Sequence, residues 1–517
     1  MPPGPGPFLA ESQGVEGPPL TPEMPMTVGV APPAKGKKSK LVVVLAVVVG
    51  LLFLGGGVFA AVTLLKKAPS IAAAEYLPDG AMFVATLNLN PSLEDQKELA
   101  EIVDEFPSEL TQDIDTDGGG FKQSVWSFVV RQSYYEDVEW ADFEDWLGDS
   151  VTWAIYEPEE PEGEYDRLAP VLVMQHTDAD AAQRFAEEHV VESEHGWWGF
   201  NFYRVVGDQL ILSRDEMPKH EKIQKAPLSG NQDLKSMLSK LRGNYVVTGW
   251  INEQGISDFA SRSFYQLHSV ESFLVDQRMA FGIGVEQGTV VTDLVAWQKK
   301  KLEGNPESVG ELVGNLPDDA TVAYGVGTTE QSISDTWDAL SAPDGSWFYY
   351  LEQLGVNSKK DLGHVAGKQL ALYLPPSIFG ATSDFGQLAS GGLVVKTDDP
   401  RKHSRVIEDI AGQVGVVVDS ETKGDKVYST VNGDTDDLME PRGKLADDEA
   451  YQDVIKDPNG ASVIMYVNVG SITKGLAQQG GIDTETERIW RRVTAVGLVA
   501  KKNDDHHSSL SMRVSFK

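Results

Sequence analysis

Asp113-Ile-Asp-Thr-Asp-Gly118 puts carboxylates at the first, third and fifth positions of a loop and a glycine at the sixth. A calcium loop begins this way, with hard oxygen ligands around the ion and glycine at the sharp turn. The twelfth position, where a bidentate glutamate closes such a site, is Ser124, and Gly120 takes the apolar eighth position. Asp113, Asp115 and Asp117 thus become calcium ligands if a distant carboxylate completes the shell; the competing reading is an acidic surface turn. Asn432-Gly-Asp-Thr-Asp-Asp437 is a weaker version of the same pattern. No other cofactor is implied.

Two histidine pairs invite a zinc reading and fail it. His189 and His195 are six residues apart, on different sides of a helix, and fit neither His-Glu-x-x-His nor its inverse. His506-His507 beside Asp504-Asp505 reads as a hairpin turn between two strands. Gly196-Trp-Trp-Gly-Phe-Asn-Phe-Tyr203 is the densest aromatic cluster. Trp197, Trp198 and Phe200 would make a platform for sugar or peptide, although alternate residues of a strand must face the core, so half of them read as packing. The chain has no Gly-x-Ser-x-Gly elbow and no phosphate-binding glycine loop. Carboxylates are so abundant that a catalytic pair could always be assembled, and their presence discriminates nothing.

These groups sit in a chain of 517 residues with a net charge of -34 and no cysteine. Disulfides and cysteine-ligated metals are excluded. Residues 1–67 carry six lysines against three glutamates, net +3, which leaves net -37 for the remainder. A surface that negative repels phosphate backbones, so nucleic acid is not an expected partner.

The charge boundary coincides with Leu41 to Leu65, twenty-five residues without a charge. As a helix this run is about 37 Å long, enough to cross a hydrocarbon core of about 30 Å. Four lysines precede it (Lys35, Lys37, Lys38 and Lys40) and two follow (Lys66 and Lys67), which predicts a cytoplasmic N-terminus and an extracytoplasmic 68–517. Residues 1–40 read as a disordered, Pro-rich cytoplasmic tail. A cleaved signal peptide is the rival, but the apolar run is too long and the tail ahead of it unusual. Ala46 and Gly50, Gly56 and Ala60, and Gly57 and Ala61 are spaced four apart, which would permit a homodimer through a small-residue helix face.

Beyond the anchor the sequence starts twice. Tyr76-Leu-Pro-Asp-Gly-Ala81 is answered by Asn315-Leu-Pro-Asp-Asp-Ala320 at an offset of 239, and Trp146-Leu-Gly-Asp149 by Val365-Ala-Gly-Lys368 at 219. The strands into Thr177-Asp178 and Thr397-Asp398, the turns at Gly207 and Gly424, the strands ending Trp250-Ile-Asn252 and Tyr466-Val-Asn468, and Phe281-Gly282 with Val496-Gly497 follow in the same order, settling to an offset of 215. Six ordered matches predict two homologous halves, 75–300 and 312–517. Strand signals fall at 81–89, 150–156, 170–176, 199–205, 209–213, 244–252, 278–286 and 289–298, and helical ones at 91–105, 178–190, 231–241 and 253–275, with Thr177-Asp178 and Thr397-Asp398 read as caps that open the second of these helices and its counterpart. The expected fold is α+β: two tandem domains, each a mostly antiparallel sheet with helices packed on one face.

The Leu-Pro-x-x-Ala opening, the Asn90-Pro-Ser92 helix start, the Trp146-Leu-Gly-Asp149 turn and the doubled layout behind one anchor resemble an uncharacterised bacterial envelope family, domain-of-unknown-function 3352. The resemblance implies a membrane-anchored envelope protein and supplies no catalytic residues; Val365-Ala-Gly-Lys368 departs from the family turn. The expectation is a non-catalytic, single-pass envelope protein binding a protein or cell-wall component. The alternatives are a carboxylate-based hydrolase, with or without calcium, and a carrier of lipid or another small ligand.

Overall fold

The computed structural model describes residues 70–104, 120–124, 138–157, 168–191, 199–215, 217, 220–256, 277–341, 356–379, 390–413, 416–478, 487–488 and 490–517. Leu41 to Leu65 lies outside these residues. Among the described residues no helix is long and apolar enough to cross a membrane.

Among the described residues sixteen strands form one sheet in which every pairing is antiparallel. Eight come from the first half: β1 (Phe83–Asn88), β2 (Leu147–Tyr156), β3 (Ala169–His176), β4 (Phe202–Val206), β5 (Gln209–Ser213), β6 (Val247–Ile251), β7 (Gln277–Glu286) and β8 (Thr289–Gln298). The other eight are β9 (Val322–Gly327), β10 (Gln369–Leu374), β11 (Gly391–Lys396), β12 (Val418–Lys423), β13 (Lys426–Val431), β14 (Val463–Asn468), β15 (Val493–Lys502) and β16 (His507–Phe516). From one edge inward the order is β4-β5-β3-β2-β1-β6-β7-β8, and from the other β12-β13-β11-β10-β9-β14-β15-β16. Each strand therefore has a counterpart eight places on. The two series meet where β8 pairs with β16, with Asp293 opposite Ser511 near the middle of the seam. The expectation of a separate sheet in each half is corrected by this pairing.

The strands form where β-branched and aromatic residues alternate, and their turns are built for reversal. Between β7 and β8, Gln287 and Gly288 both have positive φ (54° and 70°), the two-residue geometry whose twist matches antiparallel strands. Gly207 and Gly424, with φ of 62° and 68°, turn β4 into β5 and β12 into β13.

The helices are α1 (Leu93–Asp104), α2 (Ala179–Ala186), α3 (Gln232–Leu238), α4 (Gly310–Gly314), α5 (Glu330–Leu340), α6 (Lys359–Ala366), α7 (Pro400–Gln413), α8 (Glu449–Val454) and α9 (Val469–Gln478), with shorter turns between them. Local acceptors start them. Asp178 Oδ1 accepts from the Ala181 amide at 3.0 Å, Asn231 Oδ1 from Leu234 at 3.0 Å and Asp448 Oδ1 from Tyr451 at 2.8 Å. In the second half Asp399, not the expected Thr397-Asp398, receives the Lys402 amide at 3.1 Å and opens α7.

Both faces of the sheet are covered, which corrects the one-face arrangement expected from sequence. Period-two alternation sends Val171 and Val173 to one side, under Leu77, Leu228, Leu234 and Met237, and Leu172 and Met174 to the other, under Phe143, Trp146 and Phe185. On the first side the second half builds a matching core of Leu316, Ala323, Tyr451, Val454, Ile464 and Tyr466. Trp250 and Tyr466 are both fully buried there, and the asparagine two residues beyond each accepts from the backbone three residues on, Asn252 from Gly255 and Asn468 from Ser471.

Candidate functional site

On the face that carries Trp250 and Tyr466, two covers stop short of each other over the seam. One is α3 with the loop through Tyr245; the other is α8 with the loop through Asp457. Between them the two central strands form the floor of a cleft of about 490 Å³. That volume is in the range of small-ligand sites.

Glycines let the covers come down onto the sheet. A Cβ on Gly282 would stand 2.5 Å from Cγ and Cδ1 of Tyr245, so the tyrosine ring rests flat on β7 only because no side chain is there. On β15, a Cβ at Gly497 would meet the Val454 carbonyl oxygen at 2.6 Å. Gly282 and Gly497 are the glycines that the sequence aligns at an offset of 215.

Polar groups converge on the floor. The Tyr245 hydroxyl donates to Asp293 Oδ2 at 2.7 Å and accepts from the Arg242 amide at 3.2 Å. Burial, with the negative Asp293 beside it, pushes the Tyr245 hydroxyl well above its ordinary range, so it stays protonated and donates. Arg513 Nη2 donates to Glu286 Oε2 at 2.7 Å, whereas Arg513 Nη1 is shielded and has no hydrogen-bond partner. Lys501, with only 9% of its side chain exposed, donates to Asp457. A buried guanidinium nitrogen without an acceptor costs free energy of about 1–3 kcal/mol or more.

The cleft has a charge gradient. Glu98 Oε2 accepts from the Gly288 amide at 3.4 Å, so α1 brings Glu94, Asp95 and Glu98 to the β7–β8 turn, where Glu286 and Arg513 also lie. Four carboxylates there face one guanidinium. Lys501 pairs across strands with Ser509, four residues along β16 from Arg513, and marks the opposite end together with Lys456 and Asp457. Arg242 and Lys240 line the wall beside Tyr245.

Of the residues singled out from sequence, Asp113, Asp115 and Asp117 lie outside the described residues, as do Trp197, Trp198 and His195. Phe200 is fully buried, its ring 6.0 Å from that of Trp153 in a core beneath β4 and β5, away from the cleft. In the second acidic loop Asp434 accepts from the Asp436 amide at 3.0 Å and starts the turn Thr435–Met439. Among the described residues no group of three His, Cys, Asp or Glu could hold a metal ion. The His189 ring lies tilted against that of Phe185, 4.8 Å between centroids, and His507 Nδ1 meets Asp504 Oδ2 at 2.8 Å in the β15–β16 turn.

Sequence reading missed Asp293, Arg513, Lys501 and Tyr245. The available signal was a charge in the middle of an otherwise apolar strand, as in Thr-Val-Val-Thr-Asp293-Leu-Val-Ala-Trp and Leu-Ser-Met-Arg513-Val. What those charges share, one cleft, depends on a pairing between strands more than two hundred residues apart. Comparison with protein-family models, curated proteins and solved structures finds no match.

Proposed function

We propose that this chain is a single-pass envelope protein whose acidic extracytoplasmic part is a non-catalytic binding module, with the seam cleft as its ligand site. The supporting observation is a built, concave site at the seam: a buried lysine paired with Asp457, a largely buried arginine paired with Glu286, and a tyrosine held on an aspartate. Leu41 to Leu65 supplies the anchor, and the step from net +3 to net -37 across it fits a tail and a module in different compartments. The matched strand orders support a further element of the proposal, that one eight-stranded unit was duplicated and fused. In that history the cleft arises where the two copies meet. Its ligand touches both halves, because Tyr245 and Asp293 come from one and Lys501 and Arg513 from the other.

The test is photocrosslinking of the full chain in its native membrane, with a photoreactive residue at Ser511 on the cleft floor or at Met465 on the opposite face of the sheet. A discrete adduct at Ser511 that is missing at Met465 is the expected result. Identical patterns at both positions, or no adduct at Ser511, would remove the cleft as the ligand site.

A further inference from the structure

The two halves cover their outer strands in the same way and then part at one residue. The Leu228 amide donates to the Leu77 carbonyl at 2.8 Å and the Leu445 amide to Leu316 at 2.8 Å, while the Asp79 and Asp318 amides reach the Ala226 and Gly443 carbonyls at 3.0 and 3.1 Å. Tyr76 and Asn315, the residues before those leucines, thus hold corresponding places. In the first half the Tyr76 ring stacks on His220, 6.2 Å between centroids, and lies over the β4–β5 turn: its hydroxyl donates to Asp208 Oδ1 at 3.3 Å, and a Cβ on Gly207 would meet that hydroxyl at 2.7 Å. In the second half Asn315 turns its amide back on the Glu311 carbonyl at 2.9 Å, and a Cβ on Gly424, in the β12–β13 turn, would meet nothing within 4 Å. Three residues before Ala226 stands the buried Ile223; three before Gly443 stands Glu440, which leaves the core to meet Lys423 at 2.9 Å. A cavity of about 420 Å³ results, with Val394 and Tyr428 paired across β11 and β13 on its floor and Leu316, Leu438 and Met439 on its walls.

The charge of this cavity is opposite to that of the chain. Lys396, Lys426 and Lys423 stand directly across from one another on β11, β13 and β12, a row in which neighbouring like charges repel. Lys396 is paired with Glu307 at 2.6 Å and Lys423 with Glu440 at 2.9 Å. Lys426, between them on the cavity wall, has no ion-pair partner among the described residues, and neither has Lys444 on the same wall. Lysine on an edge strand is an ordinary guard against stray pairing, a role open to Lys423 on β12; Lys426 lies one strand in, where that role is gone. Burial raises the Tyr428 hydroxyl, which therefore stays protonated and can donate into the cavity. We propose that this cavity binds a small aromatic carboxylate, its ring taking the place that the Tyr76 ring takes in the first half and its carboxylate meeting Lys426. Apolar walls suit a ring and an unpaired ammonium group suits an anion, in a volume ordinary for small ligands. The site is six strands from the seam and independent of the cleft there.

The experiment is fluorine NMR titration of the full chain in lipid nanodiscs, with para-fluorophenylacetate and its primary amide as probes, acetate as competitor and empty nanodiscs as the blank. The acid is expected to bind roughly tenfold more tightly than the amide, which lacks the charge-assisted contact, and acetate, which lacks the ring, is expected not to displace it. Lys426→Gln should bring the acid down to the affinity of the amide and leave the amide unchanged, whereas Asn315→Tyr, which supplies a ring from the chain itself, should abolish binding of both. Equal affinity for acid and amide, displacement by acetate, undiminished binding to Asn315→Tyr, or no binding to the wild-type chain overturns the proposal. Should Asn315→Tyr fail to fold, Lys426→Gln decides alone: a parallel loss of acid and amide, or no loss of either, overturns it. Photocrosslinking at Ser511 reads the seam cleft separately, so either site can fail while the other stands.

Discussion

Gly282→Ala tests the construction of the cleft wall. The new methyl group would stand 2.5 Å from two ring atoms of Tyr245, well inside van der Waals contact, and the ring is pinned on its far side by the 2.7 Å bond to Asp293. The ring must lift, and overpacking of this kind costs about 1–3 kcal/mol. Breaking the hydroxyl bond would leave Asp293 short of a donor and add about 1 kcal/mol or more. Without the ring, the same substitution should stabilise by about 0.5–1 kcal/mol, since alanine loses less backbone entropy than glycine on entering a strand. The assay is a double-mutant cycle in urea, comparing Gly282→Ala in the wild-type and Tyr245→Ala backgrounds. A coupling of roughly 2–4 kcal/mol is expected, at the upper end for residues in contact. Equal cost in both backgrounds would mean that the tyrosine does not rest on that glycine, and the account of the wall would fail.

Asp457→Asn should destabilise by about 1–3 kcal/mol, less than for a fully buried pair because Asp457 is 57% exposed, and more than Lys501→Met, which removes the buried charge itself; urea midpoints order the two. Burial holds His403 below its ordinary range, with Nδ1 on the His364 carbonyl at 2.7 Å and Nε2 unpartnered. The unfolded chain then takes up the proton first, so this contribution is complete above about pH 6.5 and declines as the pH falls toward the folded value; His403→Asn should flatten that stretch of the stability-pH curve. Burial raises Asp504, but hydrogen bonds from the His506 and His507 amides and the His507 ring outweigh it and hold the carboxyl at about 2. Its contribution is therefore present above about pH 4 and lost as the pH falls through about 2, which a carboxyl-resolved NMR titration would read directly. Asp178→Ala removes the acceptor that starts α2 and should cost about 1 kcal/mol in thermal or urea unfolding.

The strands were the legible part of this chain. The runs 209–213 and 289–298 have the same bounds in sequence and structure, because period-two alternation is a local property and the flanking glycine turns are local too. The α2 start was legible for a similar reason: an aspartate before an apolar stripe has one economical use. Its counterpart shifted by one residue, since Thr397, Asp398 and Asp399 are all competent acceptors: Asp399 takes the Lys402 amide, while Thr397 accepts from the Asp399 amide and Asp398 pairs with Lys368. Coverage of both faces was hidden because buried central strands such as Val171-Leu-Val-Met174 are apolar on both sides, which does not distinguish a sheet packed once from one packed twice. The union into one sheet was hidden more deeply. Nothing within Thr289–Gln298 says that its partner is His507–Phe516, and with that pairing unseen the cleft, which needs both strands, could not be assembled.

The same seam imposes a schedule on synthesis. β8 is complete at Gln298, while its partner starts only at His507, about 210 residues later. At about 5–20 residues per second the inner edge of the first eight strands waits roughly 10–40 s with its backbone donors and acceptors open. Such an edge is a template for the wrong chain, and an inward-pointing charge is one of the ordinary defences against that. Asp293 sits at the middle of this waiting edge. Before it holds Tyr245 over a finished cleft, it makes β8 a poor strand for any newcomer that would bury a carboxylate without a donor.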